Sequence, residues 1–527
     1  MAGMFRLRTS VSGLLALLGL AAAAVCAQSV APVAASTAPA LPYAAAVAAR
    51  FPAPAVVYST PGLQPGRQTW TDNAELAAAL RTLAGAGAAR LLDLGRTDSG
   101  AELLALHFSR GGGRPLALLV GQQHGNEPAG GEALLALAMQ LANPAHPLSA
   151  VLDHIDVVLW PRVNPDGAAL ARRSNAAGLD INRDHLLLRT READALARLE
   201  ARLQPLLFVD VHEHLALGRH MPQLGGIKRH DLLIQYATTA NLPPALTVLA
   251  ERDFRQPLLR ALDAAGISHE WYYTNPRDPQ LRRLSMGGVQ PGLARNAAGL
   301  KNMVGVLLES RGFDLGRLHA QRRVHSHVVA LDSLLHSAAA GAEPLQRQLQ
   351  DIGRAVAALA CSGTLVLDAE PTRGRREILL IDPDSGADKP VSVEWDDALL
   401  LQPLSTRARP CGYWLAGDAG AVVARLHALG VSVRTLPAAA RLQVERYRET
   451  ARADATGGEG DDRGLRQITV ALEAQGLEVA PGSFYVPLDQ PLAHLITAAL
   501  EPDTAYSWYA HRLLPRLETV VRVLAPP

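Results

Sequence analysis

Four short apolar runs constrain this chain more than any other feature: Pro115–Val120, Ile155–Trp160, Leu206–Val211 and Met303–Leu308. Turn residues or polar clusters bound each run, so each reads as a buried strand. Helical patterns lie between them. Gly130–Ala142 is dense enough in apolar residues to be buried, and Arg191–Leu203 carries helical spacing with alternating charge. Short strands separated by helices predict an α/β domain with a mixed, mostly parallel sheet.

Polar residues stand where these runs end, the place where open α/β sheets bind ligands. His124 and Glu127 follow the first run in Gln123-His-Gly-Asn-Glu127. His212 follows the third, and Glu309 follows the fourth. A catalytic zinc takes three protein ligands and keeps one position open. A His and a Glu three residues apart around a tight turn can converge on one ion, and a His from another strand end completes the set. A further carboxylate outside the set can then move the proton of the attacking water. The spacing His-x-x-Glu by itself is weak, because about one match is expected by chance in a chain of this length. What gives it weight is the company at the other strand ends.

That company resembles the zinc carboxypeptidase family, the carboxypeptidase A and B type also called funnelins. The matching signs are His124-Gly-Asn-Glu127, Asn164-Pro-Asp-Gly167, Gly178-Leu-Asp-Ile-Asn-Arg183, the strand-terminal His212 and the apolar strand ending in Glu309. They fall in the family's order between about residues 70 and 315. The resemblance implies a twisted sheet with helices on both faces, one Zn2+ per chain, and a peptide substrate with a free C-terminal carboxylate. It implies His124, Glu127 and His212 as zinc ligands and Glu309 as general base. Asn182 and Arg183 would hold the substrate carboxylate, a task that suits the planar fork of arginine. Asp180 would accept a hydrogen bond from His124. Arg173, favoured over its neighbour Arg172, would support the developing oxyanion. A tyrosine before Glu309 would cap the substrate, with Tyr273 or Tyr272 the candidates. His214 competes with His212, since strand alternation points both the same way, whereas Glu213 points away from the metal.

The remaining sequence frames this site. Arg6 and Arg8 precede an apolar run at Val11–Val25, and Val25-Cys26-Ala27 offers a cleavage site. Such a run, about 15 residues against the ~20 a bilayer core needs, predicts a signal peptide over 1–27 rather than an anchor, and an exported, periplasmic or secreted protein. Residues 28–50 read as an Ala/Pro-rich linker, 51–340 as the catalytic domain, and 341–527 as a smaller mixed or β-rich accessory region. In that region Thr364–Leu367, Glu377–Ile381, Pro390–Trp395 and Val431–Leu436 read as strands, Ala419–Leu429 as a helix and Asp454–Asp462 as a mobile loop. Past the signal, Cys361 and Cys411 could either bridge in an oxidising compartment or stay separate thiols. A net charge of +1 with no run of like charge argues against a nucleic-acid partner. Two other functions fit the same residues: an amidase for cell-wall peptides or acylated amino acids, and a non-catalytic binder. The full set of ligands and base argues against the binder, while Asn182 and Arg183 fit a free substrate carboxylate in either hydrolase.

Overall fold

The computed structural model describes residues 41–527 except 277, 279, 455–464 and 505. The expected signal peptide, most of the 28–50 segment and nearly all of the expected loop at 454–462 lie outside the described residues. In chain order, the strands that build and flank the site are β1 (Arg90–Arg96), β2 (Glu102–Phe108), β3 (Leu116–Gly121) and β4 (Asp156–Trp160). They continue with β5 (Leu207–His214), β6 (Ile227–Lys228), β7 (Leu232–Tyr236), β8 (His269–Trp271) and β9 (Tyr273–Thr274). β10 (Arg283–Met286), β11 (Val304–Arg311), β12 (Thr364–Ile381) and β13 (Asp388–Ala408) complete the set.

The first sheet has eight strands in the order β1-β2-β4-β3-β5-β11-β7-β8. Its middle is parallel, with β4, β3, β5 and β11 running together, and β2 and β7 enter antiparallel on either side. The four apolar runs of the sequence are the four central strands. Alternation along them divides the core in two. Ala117, Leu119, Val157, Leu207 and Val209 pack beneath the helices Pro128–Ala142 and Ala320–Ala340. Leu118, Val120, Val158 and Phe208 face the other side, against Leu196 and Leu199 of the helix Arg191–Leu203 and Ala298 of the helix Ala294–Leu300. On β5 this second face runs Phe208, Asp210, His212, His214, so an apolar stripe turns polar at the strand's carboxyl end. That change of character sets where a site can form.

Residues beyond 340 do not stand apart from the rest. β12 and β13 form one long hairpin where the sequence suggested three short strands. The stretches between and beyond those strands, 368–376 and 396–408, lie largely exposed or half-buried and show no apolar alternation, and register shifts at Val366, Asp368 and Pro371 break the pattern further. The hairpin joins β6, β10 and β9 in a five-stranded sheet ordered β6-β12-β13-β10-β9. Leu380 pairs with Lys228, and Trp395 with Leu284. A third sheet of six strands, including Gly412–Leu415, Ala440–Asp454 and Arg466–Val479, belongs wholly to the tail. The expected helix there spans Gly420–Ala428. Cys361 and Cys411 form a disulfide that closes a separation of 50 residues. Residues 42–527 make one compact unit. Among the described residues no helix is long and apolar enough to cross a membrane.

Candidate active site

His124 and Glu127 sit in the turn that leads from β3 into the helix Pro128–Ala142. Glu127 occupies the N-cap position, and Pro128 fills the first helical position, where a missing N–H costs nothing. The turn is held from outside. Asn164 caps the helix Pro165–Ala169 by accepting from Gly167 N (2.8 Å). Its Nδ2 also donates to Gln123 O (3.0 Å) and Arg173 O (3.2 Å), which ties the two segments together. Gly125 must be glycine at this junction, because a Cβ there would lie 1.9 Å from the carbonyl carbon of Gly167. The Asn-Pro-Asp-Gly turn therefore does positional service at the site.

His124, Glu127 and His212 are buried and offer one ligand atom each, all within 4.8 Å of one another. His124 Nδ1 and His212 Nδ1 lie 3.0 Å apart, and each is 2.8 Å from an oxygen of Glu127. The far nitrogen of each ring is taken by a carboxylate: His124 Nε2 by Asp180 Oδ1 (3.2 Å) and His212 Nε2 by Asp210 Oδ1 (2.7 Å). This arrangement puts the proton on Nε2 and leaves the Nδ1 lone pairs aimed at one point, as metal-binding imidazoles require. The donor set thus fits a divalent zinc ion.

The other expected residues divide into those that reach this point and those that do not. Arg173 does: Nη2 pairs with Asp180 Oδ2 (2.8 Å), and Nη1 lies 3.7 Å from Glu127 Oε1. Arg172 is exposed. Asp180 serves twice, as partner of His124 and Arg173 and as acceptor from Asn182 N (2.9 Å). Asn182 Nδ2 donates to Asp210 Oδ2 (2.9 Å) and its Oδ1 accepts from Ala294 N (2.8 Å). Arg183 follows it, half-buried. Glu309 is the register partner of His212 on the adjacent parallel strand. It is 7% exposed, and its side chain forms no hydrogen bond or ion pair among the described residues. Burial pushes its carboxyl up to about 8, with His212 and Lys228 opposing.

Tyr273 is not brought to the site. Its ring is fully buried against Trp395 at 6.0 Å between centroids, with the Lys228 ammonium 4.8 Å above it. Tyr272 points the other way, where its phenol feels Glu309, Arg173, Arg295 and Arg183. His214 is likewise outside the triad; its Nδ1 donates to Leu215 O (3.0 Å). Glu213 turns to the opposite face and accepts from Ala129 N (2.6 Å) and from Arg323 Nε (2.8 Å). Sequence reading missed Asp210, although its place two residues before His212 on one strand was a usable signal. It also missed Lys228 and Arg295, which lie in a stretch without a motif.

A buried His-Glu-His triad at the carboxyl ends of a mixed sheet suits a zinc ion, and known carboxypeptidases are similar to this chain. The zinc carboxypeptidase family model matches residues 77–196. Carboxypeptidase 2 of Trichophyton rubrum is 28% identical over 403 residues, covering 75% of this chain and 73% of its own. Human carboxypeptidase Z is 32% identical over 177 residues, 29% of this chain and 26% of its own. Among solved structures, a metallo-carboxypeptidase from Pseudomonas aeruginosa aligns over 52% of this chain and 69% of its own, at 21% identity and a TM-score of 0.39. The chain is thus similar to zinc carboxypeptidases, both in the segment that carries His124 and Glu127 and along most of its length.

Proposed function

We propose that this enzyme removes C-terminal residues from peptides, with His124, Glu127 and His212 holding one zinc ion. The observation that carries the reading is the position of Glu309: buried, with no side-chain hydrogen bond or ion pair among the described residues, and directly across from His212. Bound in the triad, zinc would supply a Lewis acid and lower the pKa of water. Glu309 takes the proton of the attacking water and returns it to the leaving amine. A carboxyl raised by burial is suited to that exchange, since it can hold or release a proton near neutrality. Arg173, oriented by Asp180, faces the charge that develops on the scissile carbonyl oxygen. Arg183 pairs with the substrate's terminal carboxylate, while Asn182 keeps Arg183 in place through Asp210 and Ala294. Tyr272, rather than Tyr273, closes over the substrate.

The Cys361–Cys411 disulfide supports an exported location, because such bonds persist in oxidising compartments. The test is Glu309→Gln in the full chain, with metal content and peptide turnover measured together. We expect one zinc per chain to be retained and turnover to fall by about 10²–10⁴-fold, the usual worth of a positioned acid–base group. Turnover within a few-fold of the unaltered enzyme would sink the assignment. Running the assay on plain peptides beside murein tripeptides separates peptidase from cell-wall amidase.

A further inference from the structure

A buried arginine stands beside Asn182 and Arg183. Arg295 is the second residue of the helix Ala294–Leu300 and is 3% exposed. The helix start is tied to the site, since Ala294 N donates to Asn182 Oδ1. Among the described residues the Arg295 guanidinium makes one hydrogen bond, from Nη2 to Gly288 O (2.7 Å). Its Nε is buried without a partner, and no carboxylate pairs with it among the described residues. A buried cation left unpaired is costly, and proteins seldom retain one without use.

The surroundings show which way it faces. A Cβ placed on Gly287 would lie 2.7 Å from Arg295 Nη2, 2.6 Å from Gln235 Oε1 and 2.7 Å from Tyr272 Cδ1. Arg295, Gln235 and the Tyr272 ring therefore converge on one spot. Arg295 also lies within electrostatic reach of Arg183, Asp210 and Glu309. Gln235 is the register partner of Leu307, two residues before Glu309 on β11. Arg295 is thereby close enough to Arg183 and Glu309 to meet the last residue of a peptide held between them. Burial lowers the guanidinium to about 10, so it stays charged at neutral pH.

We propose that Arg295 selects the C-terminal side chain by pairing with a carboxylate there, so that the enzyme prefers C-terminal glutamate and aspartate. The inference rests on the carboxypeptidase reading of the same site. Arg183 takes the terminal carboxylate and Arg295 the side-chain one, so two adjacent cations meet a ligand with two negative charges. A C-terminal lysine would instead set its ammonium against Arg295. A glutamine would keep the shape and lose the charge.

The experiment is kcat/KM for the full, zinc-replete enzyme on peptides that differ only in a last residue of Glu, Asp, Gln, Leu or Lys. We expect Glu to exceed Gln by tenfold or more, with Lys the slowest. In Arg295→Met the Glu-to-Gln ratio should fall to about one, with the change carried mostly by KM of the Glu peptide. A wild-type enzyme that cleaves Leu or Lys peptides better than Glu overturns the proposal and leaves the carboxypeptidase reading intact. Failure to cleave any peptide of the series overturns that reading, and the proposal with it. Should Arg295→Met not fold, the wild-type Glu-to-Gln ratio decides alone.

Discussion

Two neighbouring tyrosines show how finely the site is resolved at the scale of single residues. Tyr272 and Tyr273 sit side by side, yet one faces Arg173 and Glu309 and the other is sealed against Trp395. Tyr272→Phe should lower kcat/KM by about tenfold, the worth of one hydrogen bond of ~1.4 kcal/mol to a charged substrate. Tyr273→Phe should leave activity near that of the parent, because its hydroxyl has no hydrogen-bond partner among the described residues. Its melting temperature should hold or rise slightly, since the change removes a buried unpaired polar group. Steady-state kinetics and a thermal melt on both variants check the pair; equal losses from the two would contradict the orientation. Sequence could not choose between them, because a one-residue shift of register exchanges the faces of a strand. By contrast His212 could be preferred over His214 from the end of the apolar run alone, and the structure places His212 with His124 and Glu127.

At the scale of elements, the site depends on struts between strand and helix. Glu213 bridges β5 to the start of the helix Pro128–Ala142 through Ala129 N, and to the helix Ala320–Ala340 through Arg323. It thereby locks the element carrying Glu127 to the strand carrying His212. Glu213→Ala leaves the Arg323 charge buried and unpaired, which should cost about 3–5 kcal/mol. Chemical denaturation reads that loss, and zinc affinity measured with a competing chelator should weaken in the same variant. The central strands were legible because both their faces are buried, which makes them continuous apolar runs. The helix Arg191–Leu203 was legible for the opposite reason, having one buried face and one solvated. The hairpin β12–β13 was legible only in pieces, since 368–376 and 396–408 lie largely exposed or half-buried and carry no periodic signal. Lys228 and Arg295 escaped notice for a related reason: a lone cation in a sequence looks like surface until the fold buries it.

The molecule as a whole carries two further expectations. The Cys361–Cys411 link closes a separation of 50 residues, and loop-entropy arguments give such a bond about 4 kcal/mol. Reduced protein should therefore unfold at clearly lower denaturant than oxidised protein. Second, burial holds His230 down to about 3 and His494 down to about 4, against about 6.5 in an unfolded chain. Between those values the unfolded chain binds protons that the folded one refuses. The contribution of these side chains is thus full above pH ~6.5 and is lost as pH falls toward their folded values. Denaturation midpoints at pH 7, 5.5 and 4.5 should decline in that order, and a flat series would contradict it.

The sheet that flanks the site also sets an order of events when the chain is made. β10 lies beside Glu394, Trp395 and Asp396 of the hairpin, more than a hundred positions downstream. Lys228 waits in the same way for Leu380. A nascent chain that has just exposed Glu309 holds every proposed zinc ligand and the proposed base, but the sheet behind Tyr273 and Lys228 does not yet exist. Assembly of the flank has to wait for the hairpin to emerge, so a peptide-cutting site of this design matures late in its own synthesis.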